Sequence, residues 1–253
     1  MSTWTLIGAG RIGGALQARA AARGRPIHVL GRRDDWRVLQ DVAGAPIVVC
    51  TRNDDLADVL ARVPEHRKAD LVFVQNGMLR PWLTAHGLEN ATRGLLFFAV
   101  QSRGAPIDVG PPSPFVGPHA ARVVAELRAL DVPAEVVDPQ HFAAWELEKL
   151  LWNCVFGLLC QVHDCAVGQI LAHHADEVAQ LTAELLLIGQ LELGLKLDGT
   201  AVLQRLVDYS AAIAQNRAAV KEWPWRNGWF VAIAERRGVT LPLHAALLAK
   251  AGV

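Results

Sequence analysis

A lysine and an asparagine stand four residues apart near the middle of the chain, at Lys149 and Asn153, within a long apolar stretch of helical spacing. Residues four apart share one face of an α-helix, so the pair would present an ammonium and an amide together. An ammonium can donate a proton or stabilise developing negative charge. A lysine on an amphipathic helix is also often a solvated head on a buried stem. The pair is therefore a candidate reaction centre whose meaning depends on the rest of the chain.

A glycine-rich turn near the start of the chain is a candidate phosphate-binding loop. It lies between an apolar segment, residues 4–7, and an Ala-rich helical segment, residues 15–23. Such glycines permit a tight turn and let the backbone approach a pyrophosphate, which the N–H groups of the helix start then face. Glycine turns also occur as plain connectors, but strand, turn and helix in this order favour dinucleotide binding. The predicted cofactor contacts in this motif are Gly8, Gly10, Gly13, Arg11 and Ile12.

Arginines follow the second and third predicted strands, residues 26–30 and 47–50. Arg32 and Arg33 stand where an NAD-binding protein usually offers an acidic residue to the ribose, and arginine instead suits a 2′-phosphate. Arg52, after the third strand, is a further positive group or a surface arginine. The alternative is a solvated pair of loop arginines, which the two aspartates after Arg33 would partly neutralise. We interpret Arg32 and Arg52 as cofactor contacts and expect NADP(H) rather than NAD.

The fourth predicted strand, residues 71–74, delivers Asn76 to its carboxyl end, where ligands of doubly wound sheets bind. Asn76 lies within Gln-Asn-Gly, and Asn-Gly alone would predict only a turn. The remaining segments of this alternating part are helices at residues 54–62 and 120–130 and strands at residues 94–100, 115–116 and 134–137.

The strand pattern stops at about Pro139. Three later segments carry helical apolar spacing or Ala/Leu richness: residues 141–163, 166–195 and 200–220. The alternation before them predicts a Rossmann-type α/β fold, a doubly wound and mostly parallel sheet, followed by an all-α C-terminal domain. We expect an NADP-binding domain at residues 1–138 and a helical substrate and dimerisation domain at residues 139–253, with the substrate in the cleft between them.

Composition excludes several classes of protein. With 253 residues, 52% hydrophobic and 20% charged, the chain can form one large or two modest domains. Basic and acidic residues both number 25, so no net positive charge favours a nucleic-acid partner. The longest apolar run, residues 150–162, is shorter than the roughly 20 residues of a membrane-spanning helix. With no signal peptide evident and cysteines expected to be reduced, we predict a cytoplasmic protein. An apolar run at residues 185–188 would bury a face in a homodimer or in the core.

Two polar clusters in the helical part have residue types that could do chemistry. Residues 163–165, His-Asp-Cys, are adjacent, and adjacent helical residues point in different directions, so they cannot form a hydrogen-bonded triad. Residues 173–177, His-His-Ala-Asp-Glu, have metal-ligand types without a recognised spacing, and a polar helix boundary is the favoured interpretation. We therefore expect no metal.

Several separated motifs, in one order along nearly the whole chain, resemble the ketopantoate reductase family of NADPH-dependent 2-dehydropantoate 2-reductases. The matching residues are the glycine loop, Asn76 in its Gln-Asn-Gly context, Lys149 and Asn153 in Lys-Leu-x-x-Asn, Ser210 and Glu222 twelve residues apart, and Asn227-Gly228. Such a set is far more specific than any single motif.

The resemblance implies roles for these residues. Lys149 would be the general acid that protonates the carbonyl oxygen as hydride arrives from the nicotinamide, which suits the chemistry because hydride addition builds negative charge on that oxygen. Asn153 would orient the substrate and Ser210 would bind its carboxylate. Asn76 would lie near the nicotinamide and also contact substrate, and Glu222 would hold the cofactor ribose or the lysine.

Two departures from the family concern amides that would face the substrate. The family has a second asparagine one turn beyond the first, where this chain has Gly157, and another three residues before the serine, where it has Val207. A site with fewer hydrogen-bond donors should hold a polar, hydroxylated acid less well. We expect NADPH-dependent reduction of a small 2-keto acid, 2-dehydropantoate as in pantothenate biosynthesis or a related compound. A catalytically impaired NADP-binding redox sensor, and a reductase of imine or opine-like substrates, remain open alternatives.

Overall fold

The computed structural model describes residues 4–40 and 44–253, and within them one sheet of seven strands precedes a region of helices. The chain divides into two compact units, Met1–Phe142 and Ala143–Val253, called here the N-terminal and C-terminal units. The strands are β1 (Thr5–Ile7), β2 (His28–Leu30), β3 (Ile47–Val49), β4 (Leu71–Phe73), β5 (Thr92–Gly94), β6 (Ser113–Val116) and β7 (Ala134–Val136).

The sheet has the order β2-β1-β3-β4-β5-β6-β7, and every neighbouring pair is parallel except β5 and β6. The chain leaves β1 towards β2 on one side and returns to β3 on the other, which makes the carboxyl end of β1 a topological switch point. Strands β3 and β4 are buried throughout, as expected for strands in the middle of a parallel sheet. The predicted Rossmann-type doubly wound fold is confirmed.

One expected strand is shorter than predicted. Residues 94–100 were expected to be extended, but β5 ends at Gly94, and the ladder continues only through isolated bonds such as Leu95 N–H to the carbonyl of Pro114, 3.0 Å. The partner strand β6 is preceded by Pro111 and Pro112, which carry no N–H. Because proline cannot donate to a ladder, the pairing cannot extend in that direction.

The helices of the N-terminal unit pack against an apolar core that includes Leu6, Val48, Val72 and Phe115. They are α1 (Arg11–Ala21), α2 (Leu56–Arg62), α3 (Arg80–Ala85) and α4 (Ala120–Ala129), with 3₁₀ turns at Trp36–Gln40, Asn53–Asp55 and Glu65–Asp70. The next helix, α5 (Pro139–Val162), begins in the N-terminal unit and continues into the C-terminal unit.

The C-terminal unit contains no strand within residues 143–253, all of which the structure describes. Its later helices are α6 (Val167–His173), α7 (Ala175–Leu193), α8 (Gly199–Ala212), α9 (Asn227–Arg237) and α10 (Pro242–Ala251), with a 3₁₀ turn at Trp223–Trp225. The predicted all-α C-terminal region is therefore confirmed.

Two helices predicted for this unit differ in extent from those in the structure. The helix expected at residues 166–195 is broken at His174, where the backbone leaves helical geometry between α6 and α7. The helix expected at residues 200–220 ends at Ala212 because the next segment satisfies free donors of α6. The N–H groups of Val167 and Gly168 donate to the carbonyls of Asn216 and Ala214, at 2.9 and 2.8 Å. Those groups lie at a helix start, where the first N–H groups have no partner within the helix.

Among the described residues, no single helix has the length and apolar composition needed to cross a membrane. Helices α5 and α6 meet that test only as a pair bent by 81°, and buried core helices meet it as well.

Candidate functional site

In the N-terminal unit, the glycine loop between β1 and α1 has a backbone that only glycine allows. Gly8 has φ of +108°, and a Cβ there would also lie 3.0 Å from the backbone of Cys50. A Cβ on Gly13 would lie 1.9 Å from the Gly8 carbonyl oxygen, so α1 packs directly on the loop. The space beside Gly10 is open to 4 Å, and no side chain caps the N-terminus of α1. These features fit a pyrophosphate held by backbone N–H groups.

The ends of β3 and β4 meet this loop at the same edge of the sheet. The Gln75 side-chain amide donates to the carbonyl of Val49 (2.8 Å), and the Asn53 amide donates to the backbone carbonyl of Asn76 (2.9 Å). The Asn76 side chain itself is exposed. The buried atoms Thr51 Oγ1 and Gln75 Oε1 have no hydrogen-bond partner in the described structure. Buried polar atoms are normally paired, so this edge offers polar groups to a ligand.

The predicted cationic contacts lie on this unit's surface. The Arg32 guanidinium is 82% exposed and forms an ion pair with Asp55, 2.9 Å apart. Arg11 and Arg52 are exposed, whereas the side chain of Ile12 packs against the core, which leaves its backbone for a ligand. One further cation was not predicted. Arg103 donates to the carbonyl of Ala9 inside the glycine loop, at 3.2 Å. Its sequence context gave no signal, since it follows a connecting loop 94 residues away.

In the C-terminal unit, Lys149 lies half-buried on α5. Burial lowers the pKa of its ammonium, because the charged form loses solvation, and the positive charge of Arg226 lowers it further, to about 7. A lysine with this pKa exchanges protons readily near neutral pH, as a general acid must.

Asn153 is part of a hydrogen-bonded network one turn along the same helix. Its amide N–H donates to the carbonyl of Lys149 (2.7 Å), and its amide oxygen accepts from the Arg226 guanidinium (3.1 Å). The same guanidinium donates to the Glu222 carboxylate at 2.6 Å. Glu222 has φ of +49°, a strained conformation for a residue with a Cβ, as is found at functional sites. The structure thus brings together the predicted residues Lys149, Asn153 and Glu222.

Arg226 is the residue of this network that was not predicted from the sequence. It is buried, and its Nε atom has no hydrogen-bond partner in the described structure, although both terminal nitrogens donate. The available signal was its position four residues after Glu222 and directly before Asn227, within a matching motif. Its contact with Asn153 spans 73 residues, which no local pattern reveals.

Ser210, on α8, is completely buried and accepts a hydrogen bond from the Trp152 indole N–H at 2.8 Å. The same indole stacks on Phe156 (5.7 Å between ring centroids) and meets Tyr209 edge-on (5.3 Å). In this arrangement solvent does not reach the serine hydroxyl, which is bonded to the indole. The predicted contact with a substrate carboxylate stays a prediction.

The two departures from the family pattern have different surroundings. A Cβ on Gly157 would lie 2.9 Å from the carbonyl oxygen of Ala219, so the backbone of the segment after α8 fills the place of a larger side chain. The N–H of Val220 donates to the side chain of Gln161 (3.1 Å) and fixes that segment on α5. Val207 is half-buried, one turn before Ser210. Backbone atoms therefore fill the space that a side chain at position 157 would need.

The Asn227-Gly228 pair joins this network to the helices behind it. Asn227 is buried and its amide oxygen is hydrogen-bonded to the His244 ring at 2.9 Å, and burial lowers the pKa of His244 to about 4. A Cβ on Gly228 would lie 2.7 Å from the Trp223 carbonyl oxygen. The pair thus positions the start of α9, directly after Arg226.

Comparison with known proteins gives a family for the C-terminal part of the chain. Residues 141–252 match the family model described as ketopantoate reductase PanE/ApbA C terminal, so this part belongs to that family. Over its full length the chain has the fold of solved ketopantoate reductases. No curated protein matches the chain by sequence.

Solved structures of ketopantoate reductases and of a D-mandelate dehydrogenase have the same fold. A PanE/ApbA family ketopantoate reductase from Ralstonia eutropha JMP134 superposes with a TM-score of 0.75 at 16% identity, covering 99% of this chain and 97% of that one. A dimeric ketopantoate reductase from Staphylococcus aureus gives 0.74 at 14% identity, covering 99% of both chains. D-Mandelate dehydrogenase in complex with NADH gives 0.76 at 14% identity, covering 99% and 98%. At these identities the likeness concerns the fold alone.

Proposed function

We propose that this ketopantoate reductase-like protein reduces a small 2-keto acid to the 2-hydroxy acid with NADPH, and that Lys149 donates the proton. The observation that carries the proposal is the Lys149 ammonium, whose pKa is lowered to about 7 beside the Asn153 and Arg226 network. Ketone reduction adds a hydride to carbon and a proton to oxygen. A lysine whose pKa lies well below its usual value suits the second of these steps.

Lys149 acts on the keto oxygen in this proposal. As negative charge builds there, the ammonium stabilises it and then transfers its proton. The low pKa makes that transfer easier, because the ammonium gives up its proton to a developing alkoxide at little cost. Asn153 is fixed on both sides, by the Lys149 carbonyl and by Arg226, and holds the substrate beside the lysine.

Arg226 binds the substrate carboxylate. A guanidinium pairs with a carboxylate through two parallel N–H donors, and the Nε of Arg226 is a buried donor without a partner in the described structure. Nε and the terminal nitrogen now bonded to Glu222 form such a donor pair. The substrate carboxylate thus takes over a hydrogen bond from Glu222, and Glu222 serves to position the guanidinium. Ser210, whose hydroxyl already accepts from Trp152, contributes a second contact through its own O–H.

The substrate side chain is more apolar than that of 2-dehydropantoate. Val207 offers no amide, Gly157 is packed against backbone, and aromatic rings surround Trp152 on α5. The fold neighbours also include D-mandelate dehydrogenase, one structure of which contains NADH and anilino(oxo)acetate. Burying a hydroxyl group without a hydrogen-bond partner costs free energy. A substrate with a hydroxylated side chain should therefore bind less well.

The cofactor is held by the glycine loop and the adjoining strand ends. The N–H groups at the start of α1, at Arg11, Ile12 and Gly13, bind the pyrophosphate, and Arg32 and Arg52 bind the 2′-phosphate. In this proposal the Asn76 side chain, at the same edge of the sheet, contacts the nicotinamide. NADPH, when bound, supplies the hydride.

The protein also forms a homodimer in this proposal. Leu187 and Leu191 lie one turn apart on α7, and are 58% and 53% exposed. Exposed leucines on one helix face are typical of a protein interface. A ketopantoate reductase with the same fold is dimeric. Light scattering after size-exclusion chromatography measures the mass, and a Leu187→Glu/Leu191→Glu variant should be monomeric.

A substrate panel tests the reaction. Purified protein is mixed with NADPH and 2-keto acids whose side chains range from short aliphatic to hydroxylated and aromatic, and the loss of absorbance at 340 nm is followed. We expect turnover, with apolar side chains preferred and the 2-hydroxy acid as product. If NADPH raises the melting temperature but no acid is reduced, the protein is instead a redox sensor. Product analysis with added amines separates a reductase of imines.

A further inference from the structure

A second group of polar side chains lies at the far end of α5. His163 directly follows this helix, His174 stands between α6 and α7, and Glu177 lies in the first turn of α7. Two contacts join them. The Nε2 atom of His163 is 3.1 Å from one oxygen of Glu177, and the Nδ1 atom of His174 is 3.4 Å from the other. The two imidazole rings stack with their centroids 3.6 Å apart.

The cluster has the surroundings of a site rather than of a solvated surface. The side chains of His163, His174 and Glu177 are 21%, 27% and 32% exposed, so they are largely shielded, yet water can reach them. The two histidines contact the two oxygens of one carboxylate, a group that divalent metal ions bind.

The three residues meet only in the folded chain. His174 and Glu177 are three residues apart, on one face of the start of α7, whereas His163 comes from the preceding helix. The ligand atoms of all three lie within 4.8 Å of one another. Around a tetrahedral zinc ion with bonds of about 2.0–2.2 Å, ligand atoms are roughly 3.3–3.6 Å apart. To reach that spacing and bind one ion, the ligand atoms must move closer together and the two rings must turn.

We propose that His163, His174 and Glu177 bind one divalent zinc-like transition-metal ion, with water completing the coordination. Two imidazoles and a carboxylate are a ligand set that zinc uses, and the partial exposure leaves room for the water. The near-parallel rings must rotate about their Cβ–Cγ bonds so that the lone pairs of His163 Nε2 and His174 Nδ1 converge on the ion. The N–H protons now directed at Glu177 move to the other ring nitrogens or to solvent.

This ion would act on the structure and not on the keto acid. Lys149 precedes His163 by 14 residues, which corresponds to about 21 Å along a helix rising about 1.5 Å per residue. The site instead ties the end of α5 to the junction of α6 and α7, where the chain has a break in helical geometry. Because the folded state alone assembles the three ligands, metal binding should stabilise that state.

Calorimetric titration of chelator-treated full-length protein with Zn²⁺ tests the proposal, together with the visible absorption of the Co²⁺ form, which distinguishes tetrahedral coordination. We expect one ion per chain and a melting temperature that rises with metal concentration. Glu177→Gln and His163→Gln, which keep size and polarity, should each lose the Co²⁺ bands and the stoichiometric binding. His173→Ala is the matched control, an exposed histidine next to His174, and should bind like the parent protein.

The proposal is overturned if the parent protein binds no ion, or if stoichiometric binding survives in either Glu177→Gln or His163→Gln. Loss of binding in His173→Ala would also contradict it, since another set of ligands would then be involved. Circular dichroism of each metal-free variant shows that it is folded. Reductase activity is not used as a readout, so failure of the metal site and failure of the proposed reaction are separate outcomes.

Discussion

The two candidate binding regions of this protein are built from different parts of the chain. The cofactor edge of the N-terminal unit is mainly backbone, with a glycine loop whose close contacts exclude Cβ atoms and a helix start with free N–H groups. The Lys149 region of the C-terminal unit is mainly side chains, and they already bond to one another through Asn153, Arg226 and Glu222. The first region should therefore be most sensitive to changes at its glycines, whereas the second should be sensitive to changes at each of its bonded side chains.

The arginines of the two regions differ in their exposure to solvent. Arg32 is exposed, and its ion pair with Asp55 is screened by solvent. Arg226 is buried, so its charge acts strongly on its neighbours and lowers the pKa of Lys149. A cation in the first region should thus affect one ligand, and a cation in the second should affect both binding and proton transfer.

Replacing Lys149 with alanine should have the largest effect. The variant loses the proton donor, and general acid catalysis is worth about 10²–10⁴-fold in rate, so kcat should fall by that factor. The affinity for NADPH, measured by fluorescence titration, should be nearly unchanged because the glycine loop is intact. Lys221→Ala is the control, an exposed lysine in the segment before Glu222, and should keep the parent kcat. A Lys149→Ala variant with full turnover would remove the lysine from the mechanism.

Replacing Arg226 with methionine should weaken substrate binding. A hydrogen bond to a charged group contributes about 1.5–3 kcal/mol, so KM for the keto acid should rise by about 10- to 150-fold. The variant also leaves Glu222 without its cation, which costs stability. The double variant Arg226→Met/Glu222→Gln removes that second effect. We expect it to recover the melting temperature and not KM, whereas recovery of both would show that Arg226 is structural.

Features with a local sequence signal could be predicted from the sequence, and features that depend on contacts between distant segments could not. The glycine loop, the ends of β3 and β4 and most of the sheet were predictable because their signals are local, a few glycines or an apolar run within about ten residues. Lys149 and Asn153 were identified because they share a helix face. Arg226, Arg103 and the covering of Gly157 by the backbone of Ala219 were not, because each depends on a contact between distant segments. The early end of α8 has the same cause, since residues 214–216 bond to α6.

Replacing Arg32 with alanine should moderately lower the affinity for NADPH only. Loss of a charged contact with the 2′-phosphate should weaken NADPH binding by about tenfold, or about 1.4 kcal/mol, and leave NADH binding unchanged. Arg37→Ala is the matched control, because Arg37 is a nearby exposed arginine paired with Asp35. Equal affinities of the parent protein for NADH and NADPH would contradict the role of Arg32, and the acceptor for the ribose would then be sought among the neighbouring aspartates.

The smallest expected effect is a shift in the pH dependence of kcat. This shift should occur in variants of the Lys149 region and not in variants of the cofactor edge. Lys149 must be protonated to act as the acid, and its pKa is lowered to about 7, so kcat should fall as pH rises through about 7. Arg226→Met removes one of the two causes of that low pKa, and the fall should move to higher pH. Burial of Lys149, the larger cause, remains, so the fall should still lie below the value for a free lysine. Arg32→Ala should leave the profile in place, because its charge lies in the other region. A profile that does not move in Arg226→Met would mean that burial alone sets the acidity of Lys149.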